Sequence, residues 1–184
     1  MQTPFFLGSR LYFRPLERED VPRLAAFINH PDVRRNLRTH RPMNTGQEVA
    51  FVDAMAASQR DVVFAIMLRD GDRMIGTTGL HEMDFRSRHA LFGLLIGEPS
   101  EWHKGYGSEA TRMVVDYAFG TLNLNRVELQ VLEHNVAGIR AYEKAGFRRE
   151  GLLRQHHYVD GAYEDTLVMG MLRSEWKPLP GATR

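Results

Sequence analysis

The chain has 184 residues, 43% of them hydrophobic and 26% charged, proportions ordinary for one globular domain with a real core. A formal net charge of +1 gives no sign of general nucleic-acid binding, and the absence of cysteine excludes disulfides, thiolate metal sites and a cysteine acyl-enzyme. No apolar run reaches membrane-spanning length and Met1–Pro4 does not open a signal peptide, so the expectation is a cytosolic protein with no membrane partner.

In chain order, Leu11 to Pro15 reads as a first strand, stopped by proline. A short helix follows over residues 19–29, with Val21, Leu24, Ala25, Phe27 and Ile28 apolar. A second helix is expected from Thr45, where Thr45-Gly46-Gln47-Glu48 reads as a capping box. Val62 to Leu68 and Met74 to Leu80 form a hairpin around Arg69-Asp70-Gly71-Asp72. His89 to Gly97 is a fourth strand, ended by Glu98-Pro99. A helix after Gly107 runs to about Phe119, with Gly120 as its cap. Val127 to Leu132 is a fifth strand, and Ala137 to Ala145 a further helix closed by Gly146. Two last strands, roughly 147–156 and 163–171, flank the turn Asp160-Gly161. Pro178, Pro180 and Gly181 mark a frayed tail. The order β-α-α-β-β-β-α-β-α-β-β predicts an α/β protein: a mixed, mostly antiparallel sheet of about seven strands covered by helices on both faces. One domain over 1–184 is expected, with a core over about 9–173 and a tail from 174.

The most informative stretch is Trp102-His103-Lys104-Gly105-Tyr106-Gly107-Ser108-Glu109-Ala110. It joins the fourth strand to a helix whose apolar face is Ala110, Met113, Val114, Tyr117 and Ala118. Two glycines at such a turn let the backbone come close to a ligand and aim free N–H groups at it, which with the helix dipole makes an anion site. A P-loop would need Lys-Ser/Thr after its second glycine, and a Rossmann fingerprint would follow the first strand; neither fits.

The motifs and their order resemble the GNAT superfamily of acyl-CoA-dependent N-acyltransferases over roughly residues 9–173. Gly105 and Gly107 match that family's Gln/Arg-x-x-Gly-x-Gly/Ala, with Trp102 where Gln or Arg is commoner. About 30 residues on, Asn135-x-x-Gly138-x-x-x-Tyr142-Glu143-Lys144-x-Gly146-Phe147 is similar to the second motif, with Gly138 replacing serine. The tryptophan directs the resemblance toward the ribosomal-protein N-terminal acetyltransferase branch. The resemblance implies acetyl-CoA as co-substrate, bound where the fourth and fifth strands splay apart. Backbone near Leu95 and Ile96 would pair with the pantetheine arm, and residues His103, Lys104, Gly105, Tyr106, Gly107 and Ser108 would hold the diphosphate. Asn135 and Lys144 would complete the donor site, with the Tyr142 hydroxyl facing the thioester sulfur.

With no cysteine, direct attack by an amine on the thioester is the simplest chemistry; it needs a neutral amine, a stabilised oxyanion and a proton for the leaving thiolate. Tyr142 is the candidate acid, against the alternative of a core aromatic; backbone N–H near Ile96 could serve the oxyanion. The base is open. In the ribosomal-protein branch a glutamate stands twelve positions before the tyrosine; here that residue is Gln130, which accepts no proton. Glu128, on the same sheet face, Glu98 at the end of the fourth strand, or a water relay are the alternatives. Freeing an α-amine at pH 7 costs about 1 kcal/mol and freeing a lysine-like amine about 4.6, so a site without a dedicated base favours α-amines. Arg34, Arg35, Arg38 and Arg41 read as a solvated basic loop; as a wall of the acceptor site they would repel polycations. His156 and His157, on opposite faces of a regular strand, could not easily share a metal. The expected acceptor is thus a primary amine, such as a protein N-terminus; a polyamine, amino acid or aminoglycoside is the alternative, and a non-catalytic acyl-CoA-binding module a further one. No metal and no direct nucleic-acid contact are expected, and a monomer or homodimer fits equally.

Overall fold

The computed structural model describes residues 3–179 apart from 38 and 40. One eight-stranded sheet runs through it in the spatial order β1-β2-β3-β4-β5-β6-β8-β7. The strands are β1 (Phe6–Leu7), β2 (Leu11–Pro15), β3 (Val62–Leu68), β4 (Met74–Asp84), β5 (His89–Ile96), β6 (Arg126–Leu132), β7 (Arg148–Val159) and β8 (Ala162–Leu172). All pairings are antiparallel except β5 with β6. The helices are α1 (Val21–Asn29), α2 (Pro31–Arg34), α3 (Thr45–Ala57), α4 (Tyr106–Asp116) and α5 (Val136–Ala145).

Alternation along the strands sorts the core into two layers. Tyr12, Ala65, Met67 and Met74 face α1 and α3, meeting Val21, Leu24, Phe27 and Val52. Leu11, Phe13, Ile66 and Ile75 face the other way, joining Ala110, Met113 and Val114 of α4 and Ile139 of α5 in the larger core. The mixed sheet with helices on both faces is the architecture that the element order predicts.

Boundaries differ where local chemistry offers two solutions. The cap of α3 is Asn44, not Thr45: the Asn44 side chain accepts from Gln47 N at 2.9 Å and Asn44 N donates to Gln47 Oε1 at 3.0 Å. Asparagine caps at least as well as threonine, so the box closes one residue earlier. α4 begins at Tyr106, before Gly107, and Gly120 does not cap it; residues Tyr117–Thr121 continue as a π turn. Gly146, at φ +109°, does close α5. β1 and the one-turn α2 are too short for a periodicity signal. The predicted tail is anchored as far as it is described: Trp176 packs on Phe119 with ring centroids 6.0 Å apart, and Leu179 N donates to Asp116 Oδ1 at 3.1 Å. Pro180 and Gly181 lie outside the described residues.

Candidate active site

β5 and β6 pair only through His89–Leu91 and Arg126–Glu128. Past that point β5 stays with β4 up to Ile96, and β6 stays with β8 up to Leu132, so a cleft opens between them. Gly97 N donates to Ile75 O at 2.8 Å, which fixes the phase of the β4–β5 ladder. Counting back by twos, the main chain of Leu95 faces Thr77 inside the sheet, while Leu94 and Ile96 turn theirs toward the cleft. Of the two residues expected to meet a pantetheine arm, Ile96 therefore offers its backbone and Leu95 lines the cleft through its side chain. Trp102 occupies one of those cleft-facing groups, its indole Nε1 donating to Ile96 O at 2.8 Å.

The turn before α4 is built around a left-handed backbone. Gly105, the N-cap, lies at φ +85° and His103 at φ +60°. A side chain at 105 would be strained there, and its Cβ would stand 3.3 Å from Arg10 Nη2. No side chain caps α4, so the first amides of the helix point outward unsatisfied by any cap. Gly107 sits inside the first turn, where a Cβ would make only ordinary contacts with Leu94 and Ala141. The turn is held from beneath by Arg10 and Glu109. Arg10 Nη1 donates to Lys104 O at 2.8 Å, and its guanidinium lies 4.6 Å from the Tyr106 ring centre. Buried Glu109 accepts from Arg10 Nε at 2.9 Å, Arg10 N at 2.8 Å, Leu11 N at 3.2 Å and Ser9 Oγ at 3.0 Å. Burial pushes its carboxyl up, but these bonds outweigh it and hold the group below the usual carboxylate range.

The facing wall comes from α5. Asn135 caps that helix, its Oδ1 accepting from Gly138 N at 2.9 Å. A Cβ at 138 would lie 2.8 Å from Asn135 Nδ2, so glycine in place of the expected serine keeps this amide in position. Tyr142 is buried yet lines the cleft, edge-on to Phe92 with centroids 5.9 Å apart. Burial pushes its phenol up to about 12, so it stays protonated through neutral pH. The cleft encloses about 810 Å³, with Arg140 and Lys144 on its wall and His103, Gly105, Tyr106, Gly107 and Ser108 at its turn. Outward amides, two cations and an unpaired strand edge fit an elongated, diphosphate-bearing thioester.

Several expected residues fall elsewhere. Lys104 is not among the lining residues; its Nζ bonds Glu101 Oε2 at 2.9 Å. Glu98 accepts from Arg23 Nη2 at 2.7 Å, and Glu128 from Arg126 Nε at 2.9 Å. Both candidate bases are thus neutralised by arginines and neither lines the cleft. Among the described residues of the segment after α1, those lining the cleft are Val33, Asn36 and Leu37. Arg35 instead meets Asp160 at the β7–β8 turn, 3.4 Å away, and Arg38 lies outside the described residues. A register shift between Leu153 and His157 breaks the strict alternation that separated the two histidines, and their rings touch edge-on at 4.6 Å. Among the described residues no three His, Cys, Asp or Glu side chains gather as a metal site. Arg10, Glu109 and His134, which also lines the cleft, carry no signal in the sequence because only the fold brings their partners together.

A model of the acetyltransferase (GNAT) domain matches residues 10–148. The chain belongs to this family, and it is an acetyl-CoA-dependent N-acetyltransferase. It is 31% identical over 173 residues to the uncharacterized N-acetyltransferase YoaA of Bacillus subtilis, covering 92% of this chain and 97% of that one. It is 29% identical over 178 residues to the spermidine N(1)-acetyltransferase of Vibrio cholerae, with 92% and 97% covered. A crystal structure of the Vibrio cholerae spermidine N-acetyltransferase in complex with CoA and spermine superposes with a TM-score of 0.85 at 25% identity, covering 91% of this chain and 98% of that one. The expected kinship with the ribosomal-protein branch is corrected by these relatives: the resemblance runs to the spermidine acetyltransferases. Trp102 misdirects the sequence comparison because its indole is a local fixture for the Ile96 carbonyl. Among the described residues no helix is long and apolar enough to cross a membrane.

Proposed function

We propose that this enzyme acetylates a small-molecule primary amine of the polyamine class, spermidine being the representative acceptor. The observation that carries the reading is the likeness, over more than nine-tenths of both chains, to spermidine acetyltransferases. The cleft is compatible with it: Arg34, Arg35 and Arg41 are not among its lining residues, which among the described residues on that side are Val33, Asn36 and Leu37.

In this reading the donor lies along the open edge of β5. The cleft-facing backbone of Leu94 and the Ile96 N–H take the place of a strand partner, the Asn135 amide steadies the arm, and the amides from His103 to Ser108 take the diphosphate with Arg140 and Lys144 nearby. Acetyl-CoA supplies an acetyl group already activated as a thioester. Tyr142, protonated at neutral pH, gives its hydroxyl proton to the departing sulfur, and the N–H of Ile96 offers a bond to the developing oxyanion. A thiol-release assay across spermidine, spermine, free lysine and short peptides with free N-termini tests the acceptor. The polyamines should show the highest kcat/KM. Faster turnover of the peptides would overturn the polyamine assignment while leaving the donor site intact.

A further inference from the structure

A polyamine nitrogen arrives as an ammonium and must lose a proton before it can attack, so the cleft needs a proton acceptor within reach of solvent. Among the described residues, six lining side chains other than Tyr106 can titrate: Glu101, His103, His134, Arg140, Tyr142 and Lys144. Arg140 and Lys144 are the cations assigned to the diphosphate. Glu101 is bonded by both Lys104 and Arg73, which hold its carboxyl below the usual range, so it is a poor base. Tyr142 is the proton donor, and His103 belongs to the turn assigned to the diphosphate. His134 remains.

Its placement is specific. β6 ends at Leu132, and Asn135 N closes the turn by donating to Leu132 O at 3.0 Å, so His134 stands between the end of the strand and the cap of α5. Its Nδ1 bonds the carboxylate of Glu164 on β8. Glu164 lies two residues before Thr166, which also lines the cleft, so both face the same side of the strand. A carboxylate on Nδ1 fixes the ring orientation and the tautomer, leaving Nε2 as the acceptor nitrogen. The His134 side chain is 37% exposed, which lets the proton it collects pass on to water.

We propose that His134, oriented by Glu164, takes the proton from the incoming amine. His134 Nε2 first takes one proton from the ammonium and passes it to water, and the neutral nitrogen then forms the new C–N bond as the C–S bond breaks. The surplus proton on nitrogen goes to His134 Nε2, and Tyr142 gives its hydroxyl proton to the sulfur. Exchange with solvent then returns both side chains to their starting states. The proposal rests on the small-molecule acceptor reading for its substrate, but not on the identity of that amine.

The test uses the full chain, with spermidine and with whichever panel amine the wild type turns over fastest. His134→Gln should lower the single-turnover rate about 100-fold, while calorimetric Kd for CoA stays within twofold. His134→Ala should regain rate with added imidazole. Glu164→Gln, which keeps the shape but loses the charge, should cost about tenfold in rate with acceptor KM little changed. A loss confined to acceptor KM would make His134 a binding residue and overturn the proposal, as would an unchanged rate or a rate indifferent to imidazole. A wild type inert toward spermidine yet active on another amine would remove the polyamine reading alone, and the His134 comparison would be decided on that other amine.

Discussion

The two sides of the cleft are built from different materials. In the proposed reading the donor side is mostly main chain: the cleft-facing strand edge at Leu94 and Ile96, and the outward amides of a turn whose shape depends on Gly105. In the same reading the acceptor side is made of side chains from separate segments that line the cleft: Val33 and Leu37 after α1, Gln130 on β6, His134 before α5 and Thr166 on β8. A backbone site needs few particular residues and tolerates drift, so it serves one unchanging ligand. A side-chain site can be respecified one residue at a time, which is how a common donor comes to meet different amines. Tyr142 stands where the two meet, and it gives the largest expected effect. Tyr142→Phe keeps the ring packed against Phe92 and Phe147 while removing only the proposed acid. It should lower kcat by about 100-fold or more with CoA affinity unchanged in calorimetry. A rate within threefold of wild type would leave Tyr142 a core aromatic and nothing more.

The clamp beneath the turn comes next, because it ties the donor side to the rest of the fold. Glu109→Gln weakens bonds from Arg10, Ser9 and Leu11 at one buried point and should cost about 2–3 kcal/mol in denaturant unfolding. The sign of its pH dependence is set by the depressed carboxyl. Its contribution is complete above the unfolded carboxylate range and is lost as pH falls through the lower, folded value. Stability of the wild type should therefore decline on acidification more steeply than that of Glu109→Gln. Parallel curves would mean that Glu109 gains nothing from its charge.

Gly105→Ala breaks the donor side more locally. An alanine at φ +85° is strained, and its Cβ would press within 3.3 Å of Arg10 Nη2. The turn should relax to a different backbone and misplace the amides, raising the Kd for CoA about tenfold, equivalent to about 1.4 kcal/mol. Acceptor KM should barely move. An equal rise in both constants would show that the two sides are not separable in the way their construction implies.

The same division explains what the sequence reveals. Gly105 stands out because a strand-to-helix turn favours glycine, and Asn135 and Tyr142 stand out because their stretch resembles a family motif; the structure places Asn135 as the cap of α5 and Tyr142 on the cleft. The sheet is legible because its strands alternate and its turns carry Asp-Gly. The clamp is not: nothing near Arg10 or Glu109 announces a partner 99 residues away. Glu98 and Glu128 look available in sequence, yet Arg23 and Arg126 neutralise them in the fold. Freeing a polyamine nitrogen at pH 7 costs about 4.6 kcal/mol, so discarding both carboxylates favours α-amines only while no other base is seen. His134 supplies one, but its carboxylate lies 30 residues on, in another strand. Arg34 and Arg35 fit the solvated-loop reading over the acceptor-wall alternative, since neither lines the cleft and Arg35 meets Asp160 instead.

Trp102 is the smallest and sharpest probe of the boundary. Its indole donates to Ile96 O at 2.8 Å, so a side chain fixes a backbone group that a pantetheine arm could otherwise address. Trp102→Phe retains most of the apolar contact and removes the donor. One such bond is worth about 0.5–1.5 kcal/mol, and some of that returns when water or ligand takes up the carbonyl. If the indole serves only to anchor the turn, unfolding free energy should drop by that amount and CoA affinity should fall a fewfold at most. If the freed Ile96 carbonyl instead joins the donor site, CoA should bind more tightly as the fold weakens. Measuring both quantities on one variant distinguishes a structural tryptophan from one that withholds an available contact, because the two effects then move in opposite directions.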